Sequence, residues 1–304
     1  MILRGESSLQ SQPDTACSLC AGTSLVEFRC EGSLAIVRCQ TCGLMFTEPQ
    51  PKHEEIVALY SESYFHSDDA RSMAYDDYLA DGDNILRSSR RRLERIEQVL
   101  GKRGQDLLDV GCATGFFLKA AVERGYNAHG VEISRYCVDH VVEPKALVHC
   151  GTLEEARYPN AKFDLITLWD VLEHLKDPRA ILGECARIAR PGAGLVLMTP
   201  NIDGLMARIM RGRWVCWEDP HIHLFYYGPS QIRRELERSE WRVKRVRTFW
   251  HGGKDVPLKL VFERLGRYLT PISPIFNRLE RSKLSDLVMY LDAGDNMVVY
   301  AERV

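Results

Sequence analysis

Residues 107–117, LLDVGCATGFF, begin as an apolar run, stop at an acid, and break into two glycines around three small residues. Strand, tight turn, helix is the local reading, and a turn of this kind holds a nucleotide-like cofactor. Working outward, strand and helix patterns alternate from residue 106 onward. DLLDV (106–110) reads as a first strand and TGFFLKAAVERG as its helix, stopped at Gly125. NAHGVEI, ALVHC, FDLITLWDV, GLVLMTP, WRVKRVRTF and NMVVYAERV read as six further strands. SRYCVDHVV, DPRAILGECARIARPG and SQIRRELERSE read as helices between them. Such alternation predicts an α/β fold, a doubly wound sheet with helices on both faces. Its ligand belongs at the C-terminal strand ends, near the switch point.

The glycines narrow the choice of cofactor. A dinucleotide turn needs G-x-G-x-x-G, but here Ala113 stands between Gly111 and Gly115 and no third glycine follows. No Gly-Lys-Ser/Thr follows either, which excludes a P-loop. A cofactor without phosphates, whose amino-acid part approaches the backbone closely, remains. Asp109 ends the first strand, and the glycines let the chain pass beneath the ligand. Glu132 ends the second strand, 21 residues after Gly111. A carboxylate there takes both ribose hydroxyls, in charge-assisted hydrogen bonds of about 1.5–3 kcal/mol each.

CSLC (17–20) and CQTC (39–42) stand 18 residues apart. Two residues between cysteines turn both thiolates toward one ion, and two such knuckles make a closed, structural zinc site of Cys17, Cys20, Cys39 and Cys42. Cys30 is the one competitor as a ligand. Gly22 and Gly43 follow the pairs, where the chain turns sharply. LVEFRC and LAIVRC are expected to be short strands leading back to the metal, which supplies folding free energy that about 40 residues lack on their own.

Composition fits an ordinary globular protein: 45% hydrophobic and 27% charged residues in a chain of 304. The net charge of −2 argues against a polyanionic partner. Apolar stretches such as GLVLMTP fall far short of a membrane span, and MILRGESSLQSQPD lacks the apolar core of a signal peptide. A cytoplasmic protein is the expectation. The expected divisions are a zinc ribbon (1–48), a linker and helical region (49–100) and an α/β domain (101–304) carrying a helical insertion at 251–295. In NILRSSRRRLERIEQVL the apolar residues fall at helical spacing, and the arginines read as a solvated face. The insertion is expected to pack on the domain as an ornament or to cover the acceptor pocket.

Jointly these stretches resemble the class I S-adenosylmethionine-dependent methyltransferases. DVGCATG is similar to their first motif, D-x-G-x-G-x-G, with Ala113 in place of the middle glycine; the replacement is mild only if Ala113 keeps a negative φ. VEIS resembles their second motif, GTLEEARYPNAKFDLITLWDVLEHLKDP their adenine-side stretch and fourth strand, and RPGAGLVLMTPN their fifth. The resemblance implies a seven-stranded sheet with its last strand antiparallel and S-adenosylmethionine as cofactor. It places Gly111 and Gly115 against the methionine part and Glu132 on the ribose, with Ile133 beside it. Thr152 and Leu153 would flank the adenine, with Glu154 the nearest acid. Trp169 and Asp170 would line the sulfonium end. A ribbon ahead of this domain also resembles bacterial methyltransferases that modify sugars and natural products. Some of these, the C-methyltransferases, continue into a further domain past the last strand, so O-methylation is the expectation, with C- or N-methylation as the alternative.

A hydroxyl acceptor needs a base, which histidine suits. His174 lies four residues after Asp170, so a helical turn would place both on one face; the other reading has it bonding local backbone at a helix start. His221 and His223, after the fifth strand, would point the same way in extended chain. The nearby Trp214, Trp217, Phe225, Tyr226 and Tyr227 either wall an acceptor pocket or form core. The expected partner is a small molecule, such as a sugar or a lipid-linked or carrier-bound intermediate. A nucleic-acid methyltransferase gripping its substrate through the ribbon is the rival. The neutral charge stands against it, as does WDVLEH where N-P-P-Y would be. A scaffold that holds the cofactor without turnover would have no need of histidines at the cofactor mouth.

Overall fold

The computed structural model describes residues 16–52, 55, 79, 81–101, 103–210, 214, 217, 220–249 and 294–304. All but the last two residues of the expected insertion at 251–295 lie outside the described residues. Three strands come first: β1 (Leu25–Glu31), β2 (Leu34–Cys39) and β3 (Met45–Glu48). Helix α1 (Gly82–Leu100) ends at Gly101, whose φ of 67° is the left-handed stop that glycine adopts without a Cβ penalty. Then come β4 (Asp106–Val110), α2 (Phe116–Glu123), β5 (Asn127–Glu132), α3 (Arg135–Asp139), β6 (Leu147–Cys150) and β7 (Phe163–Trp169). A 3-10 turn (Leu172–His174) leads to α4 (Pro178–Ile188), β8 (Ala189–Pro200), α5 (Leu205–Met210), β9 (Phe225–Tyr226), α6 (Pro229–Arg238), β10 (Trp241–Phe249) and β11 (Asn296–Arg303).

Seven strands form the main sheet in the order β10-β11-β8-β7-β4-β5-β6. β4 pairs in parallel with both β5 and β7, so the chain reverses its direction of build at β4 and opens a crevice there. β11 runs antiparallel to β8 and to β10, as expected. Both faces are covered, which is why the parallel strands read as nearly unbroken apolar runs. Alternate residues of each strand serve the two faces. Leu108, Val110, Ile166, Leu168 and Leu197 join the core under α4 and α6, whereas Leu107, Leu165 and Val196 join the core under α1 and α2.

Helix α4 is shorter than its sequence pattern suggests. The Asp177 carboxylate accepts the Ala180 N–H at 2.9 Å and Pro178 opens the first turn. The helix stops at Ile188, because Ala189 already pairs with Phe163 and the backbone bonds go into the sheet instead.

β1, β2 and β3 pair antiparallel in order, and β9 completes a four-stranded sheet by pairing with β3, Met45 opposite Tyr226 and Phe46 opposite Phe225. The ribbon is therefore built into the larger domain. Cys17, Leu19, Cys39, Leu44 and Phe46 share one core with Leu224, Ile232 and Trp241. Gln231 donates to the Cys42 carbonyl at 2.9 Å, Arg179 to that of Ser18 at 2.8 Å, and Arg238 to that of Leu19.

Candidate functional site

The glycine turn after β4 is held from beneath. Gly111 has φ 72° and its N–H donates to Val131 O at 2.8 Å. A Cβ there would come within 2.5 Å of Val171 Cγ2, so the turn and the segment after β7 need glycine in order to meet. Gly115, at φ 81°, precedes α2. Ala113 has φ 46°, so the condition under which its replacement of glycine would be mild is not met. Its N–H donates to Glu132 Oε2 at 2.9 Å, and this bond helps hold the left-handed conformation. Gly130, which sequence reading passed over, sits where a Cβ would come 2.6 Å from Cys112 Sγ. A glycine inside a strand was the available signal.

Glu132 is buried at the end of β5, its second oxygen accepting the Ser134 N–H at 2.8 Å. Burial raises its pKa, and the N–H groups of Ser134 and Ala113 oppose that. A carboxylate offers about four lone-pair positions, so two remain for ribose hydroxyls. Next to it Ile133 is exposed. Thr152 follows β6 with its N–H given to Glu155 Oε2 at 2.8 Å, and Leu153 is buried in the core below. Glu154 is exposed, and its neighbour Glu155 is the acid that folds back on Thr152.

Asp109 is buried under the turn and accepts the Thr167 hydroxyl at 2.6 Å. Burial pushes its pKa up to about 8, against the pull of that bond and of Arg92. Arg92 was expected on a solvated face; instead its guanidinium lies 4.5 Å from the centre of the Trp169 ring. Trp169 also packs edge-on to Phe117 at 5.2 Å, on the side of the sheet that α1 and α2 cover.

Asp170 has φ 53° and is exposed, and the 3-10 turn begins only at Leu172. The α-helical turn expected to put Asp170 and His174 on one face is therefore absent, because the chain reverses at Asp170. His174 Nδ1 lies 3.0 Å from Ile222 O. A carbonyl only accepts, so Nδ1 carries the proton and Nε2 the lone pair. Burial first, then His223, lowers the His174 pKa to about 3. The His174 and His223 rings lie 4.8 Å apart. His221 is exposed in a turn, since the chain there is not extended. Glu173 is buried, and burial and Asp170 raise its pKa well above the usual carboxylate range. Ligand-type atoms of Glu173, His174 and His223 all lie within 4.8 Å of one another, close enough for a cation.

The four knuckle cysteines converge, with all Sγ atoms within 4.8 Å of one another. Cys17 and Cys42, and likewise Cys20 and Cys39, are 3.5 Å apart. A zinc–sulfur distance of about 2.3 Å gives tetrahedral edges of about 3.8 Å, so the thiols fit zinc. Burial pushes the Cys39 thiol up, but the N–H groups of Cys42 and Thr41 outweigh it and bring the pKa to about 7. Gly43 takes the left-handed turn after its pair, but after the first pair Ala21 does so, at φ 59°. Gly22 serves close approach instead, its missing Cβ lying 2.7 Å from Thr41 Oγ1. Cys30 is exposed and lies outside the cluster.

A parallel sheet whose crevice ends in a glycine turn and an acid defines a nucleotide-type cofactor protein. The family model described as "Methyltransferase domain" matches residues 82–246, and the chain belongs to that family. The match takes in α1, ahead of the expected boundary at residue 101. Among relatives, the ubiquinone biosynthesis O-methyltransferase of Coxiella burnetii (strain RSA 493 / Nine Mile phase I) is 32% identical over 116 residues, 36% of this chain and 50% of that protein. The one from Idiomarina loihiensis is 31% identical over 147 residues, 44% of this chain and 60% of that protein. The chain spans about half the length of the curated relatives it matches. A SAM-dependent methyltransferase structure from Archaeoglobus fulgidus superposes with TM-score 0.51 at 21% identity, covering 74% of this chain and 99% of that one, a likeness of fold. S-adenosylmethionine is the cofactor that family and fold imply, and the residues around Gly111 and Glu132 fit it. Among the described residues no helix is long and apolar enough to cross a membrane.

Proposed function

We propose that the protein transfers the methyl group of S-adenosylmethionine to a hydroxyl of a small molecule, with His223 as the base. The observation that carries this reading is the placement of the histidines: Val171, against Gly111, runs directly into the turn that bears His174, which faces His223. Bound at the glycine turn, the cofactor supplies an electrophilic methyl on a sulfonium. Gly111, Ala113 and Gly115 pass beneath its amino-acid part, Glu132 takes the ribose, and Ile133 and Thr152 flank the adenine. The chain's main task is then to hold the acceptor in line, worth roughly 7–11 kcal/mol in favourable cases. His223 accepts the hydroxyl proton. His174, held neutral by burial with its Nδ1 proton on Ile222 O, anchors the loop. The two relatives named for O-methylation support transfer to oxygen; Trp214, Trp217, Phe225, Tyr226 and Tyr227 are buried in the core and lend no wall to the acceptor.

In this reading Cys17, Cys20, Cys39 and Cys42 hold a structural zinc, and the acceptor reaches the site free or on a lipid or carrier. Transfer to carbon or nitrogen is the alternative; a neutral amine attacks through its own lone pair and would dispense with the base, whereas a carbon acceptor must still lose a proton to one. The test is methyl transfer from labelled S-adenosylmethionine to a panel of sugars and phenols. His223→Gln should lower kcat about 100-fold or more and leave S-adenosylhomocysteine affinity unchanged. A full rate in both His223→Gln and His174→Gln would remove the base from the mechanism.

A further inference from the structure

The segment bearing His223 is short, irregular and clamped from two sides. From the 3-10 turn, His174 Nδ1 donates to Ile222 O at 3.0 Å, and Leu224 N–H donates to Glu173 O at 2.7 Å. From the ribbon, Thr47 N–H donates to Leu224 O at 2.9 Å, and the Thr47 hydroxyl donates to His223 O at 3.0 Å. Thr47 lies in β3 and is fully buried. Its main-chain bond prolongs the pairing of β3 with β9, as any residue type would. The hydroxyl bond is different, because it is made by a side chain and lands on the residue whose ring faces His174.

Strand β3 is in turn tied to the second cysteine knuckle. Cys39 N–H donates to Leu44 O at 2.9 Å, one residue before β3 begins, and β3 pairs along β2 with Thr47 opposite Ile36. An unbroken path therefore leads from the metal ligands through Thr47 to His223. We propose that Thr47 is a positioning residue for His223, so that the ribbon forms one working wall of the acceptor site. This rests on the reading of His223 as the base. The threonine sets the ring through the backbone of its own residue and touches neither cofactor nor acceptor.

The physical case is one of competing placements. Without the hydroxyl, the 223–224 peptide keeps its Leu224 N–H bond to Glu173 O and can tilt about that bond, since its carbonyl loses the Thr47 partner. The bonds at Ile222 and Leu224 persist, so the segment stays in place while the ring between them loses its fixed direction. Displacements of about 1 Å suffice to cost about 100-fold in rate when proton transfer must be in line.

The experiment compares Thr47→Val, which keeps the branched shape and removes only the hydroxyl, with Thr47→Ser, which keeps the hydroxyl. Thr47→Ala is the second hydroxyl-free variant should valine disturb the strand. Each is made in the full chain, and titration with S-adenosylhomocysteine confirms that the cofactor site is formed. The first readout is the carbon–proton spectrum of histidine rings, assigned with His174→Gln and His223→Gln. In Thr47→Val the His223 and His174 signals should shift or broaden while those of His129 and His140 stay put, and Thr47→Ser should restore them. The second readout is turnover, where kcat should fall about 10- to 100-fold with acceptor KM changed less than about threefold, again restored by serine. Unmoved ring signals in both hydroxyl-free variants would overturn the proposal, whatever the activity. If His223→Gln retains full turnover, the base assignment fails, and the ring spectra still decide whether Thr47 sets the ring.

Discussion

Replacing Glu132 by alanine should weaken the protein twice, because the carboxylate that holds the glycine turn is also the one proposed to take the ribose. Its Oε2 accepts the Ala113 N–H at 2.9 Å and its Oε1 accepts the Ser134 N–H at 2.8 Å. Hydrogen bonds to a charged group contribute about 1.5–3 kcal/mol each, and a buried donor left behind adds its desolvation. The side chain stands at a strand end where water can enter the space it vacates, so the two losses do not add in full. A stability loss of roughly 2–4 kcal/mol is expected in urea or thermal unfolding. The remaining lone pairs are those assigned to the ribose. Losing them should weaken S-adenosylhomocysteine by another 2–4 kcal/mol or so, roughly 30- to 1000-fold in Kd by calorimetry. Glu132→Gln sharpens the test. Its amide has one acceptor and one donor group, so one backbone N–H must face another N–H, and most of the stability loss should persist. An alanine variant with an unchanged midpoint and unchanged Kd would refute both halves of the reasoning.

Ala113→Gly should stabilise the protein by about 0.5–1 kcal/mol, since relief of a left-handed alanine (about 1–2 kcal/mol) exceeds the extra freedom given to the unfolded chain. S-adenosylhomocysteine affinity should not change, and a lower unfolding midpoint would show that the methyl group packs favourably. Elemental analysis should find one zinc per chain, and chelation or Cys39→Ser should lower the melting temperature of the whole chain because the ribbon shares its core. Cofactor binding, centred on β4 and β5, should largely persist. Freshly purified protein without metal, or an unchanged melt after metal removal, would defeat this.

Much of the frame could be read locally. DLLDV and WRVKRVRTF are β4 and β10 to the residue, because an apolar run closed by a glycine turn, or a strand entered from a capped helix, carries its limits within a few positions. The convergence of the paired CxxC knuckles was equally legible, since a shared ion would dictate such spacing. The sign of the Ala113 φ stayed open because it depends on a carboxylate 19 positions away. Arg92 was assigned to solvent because the Trp169 ring that receives it lies on another element. Three histidines could be picked out as candidates, but nothing nearby in sequence could separate them. His221 falls in an exposed turn, while His223 is drawn to His174 by bonds from Glu173 and from Thr47, 176 residues away. Periodicity, turn chemistry and ligand spacing are properties of neighbouring residues, and the sequence alone determined the sheet, the cofactor turn and the metal knuckles. Pairing β3 with β9 joins residues far apart in the chain, at an entropic cost repaid only by the shared core, and so only the tertiary structure could decide that the ribbon reaches the segment bearing His223.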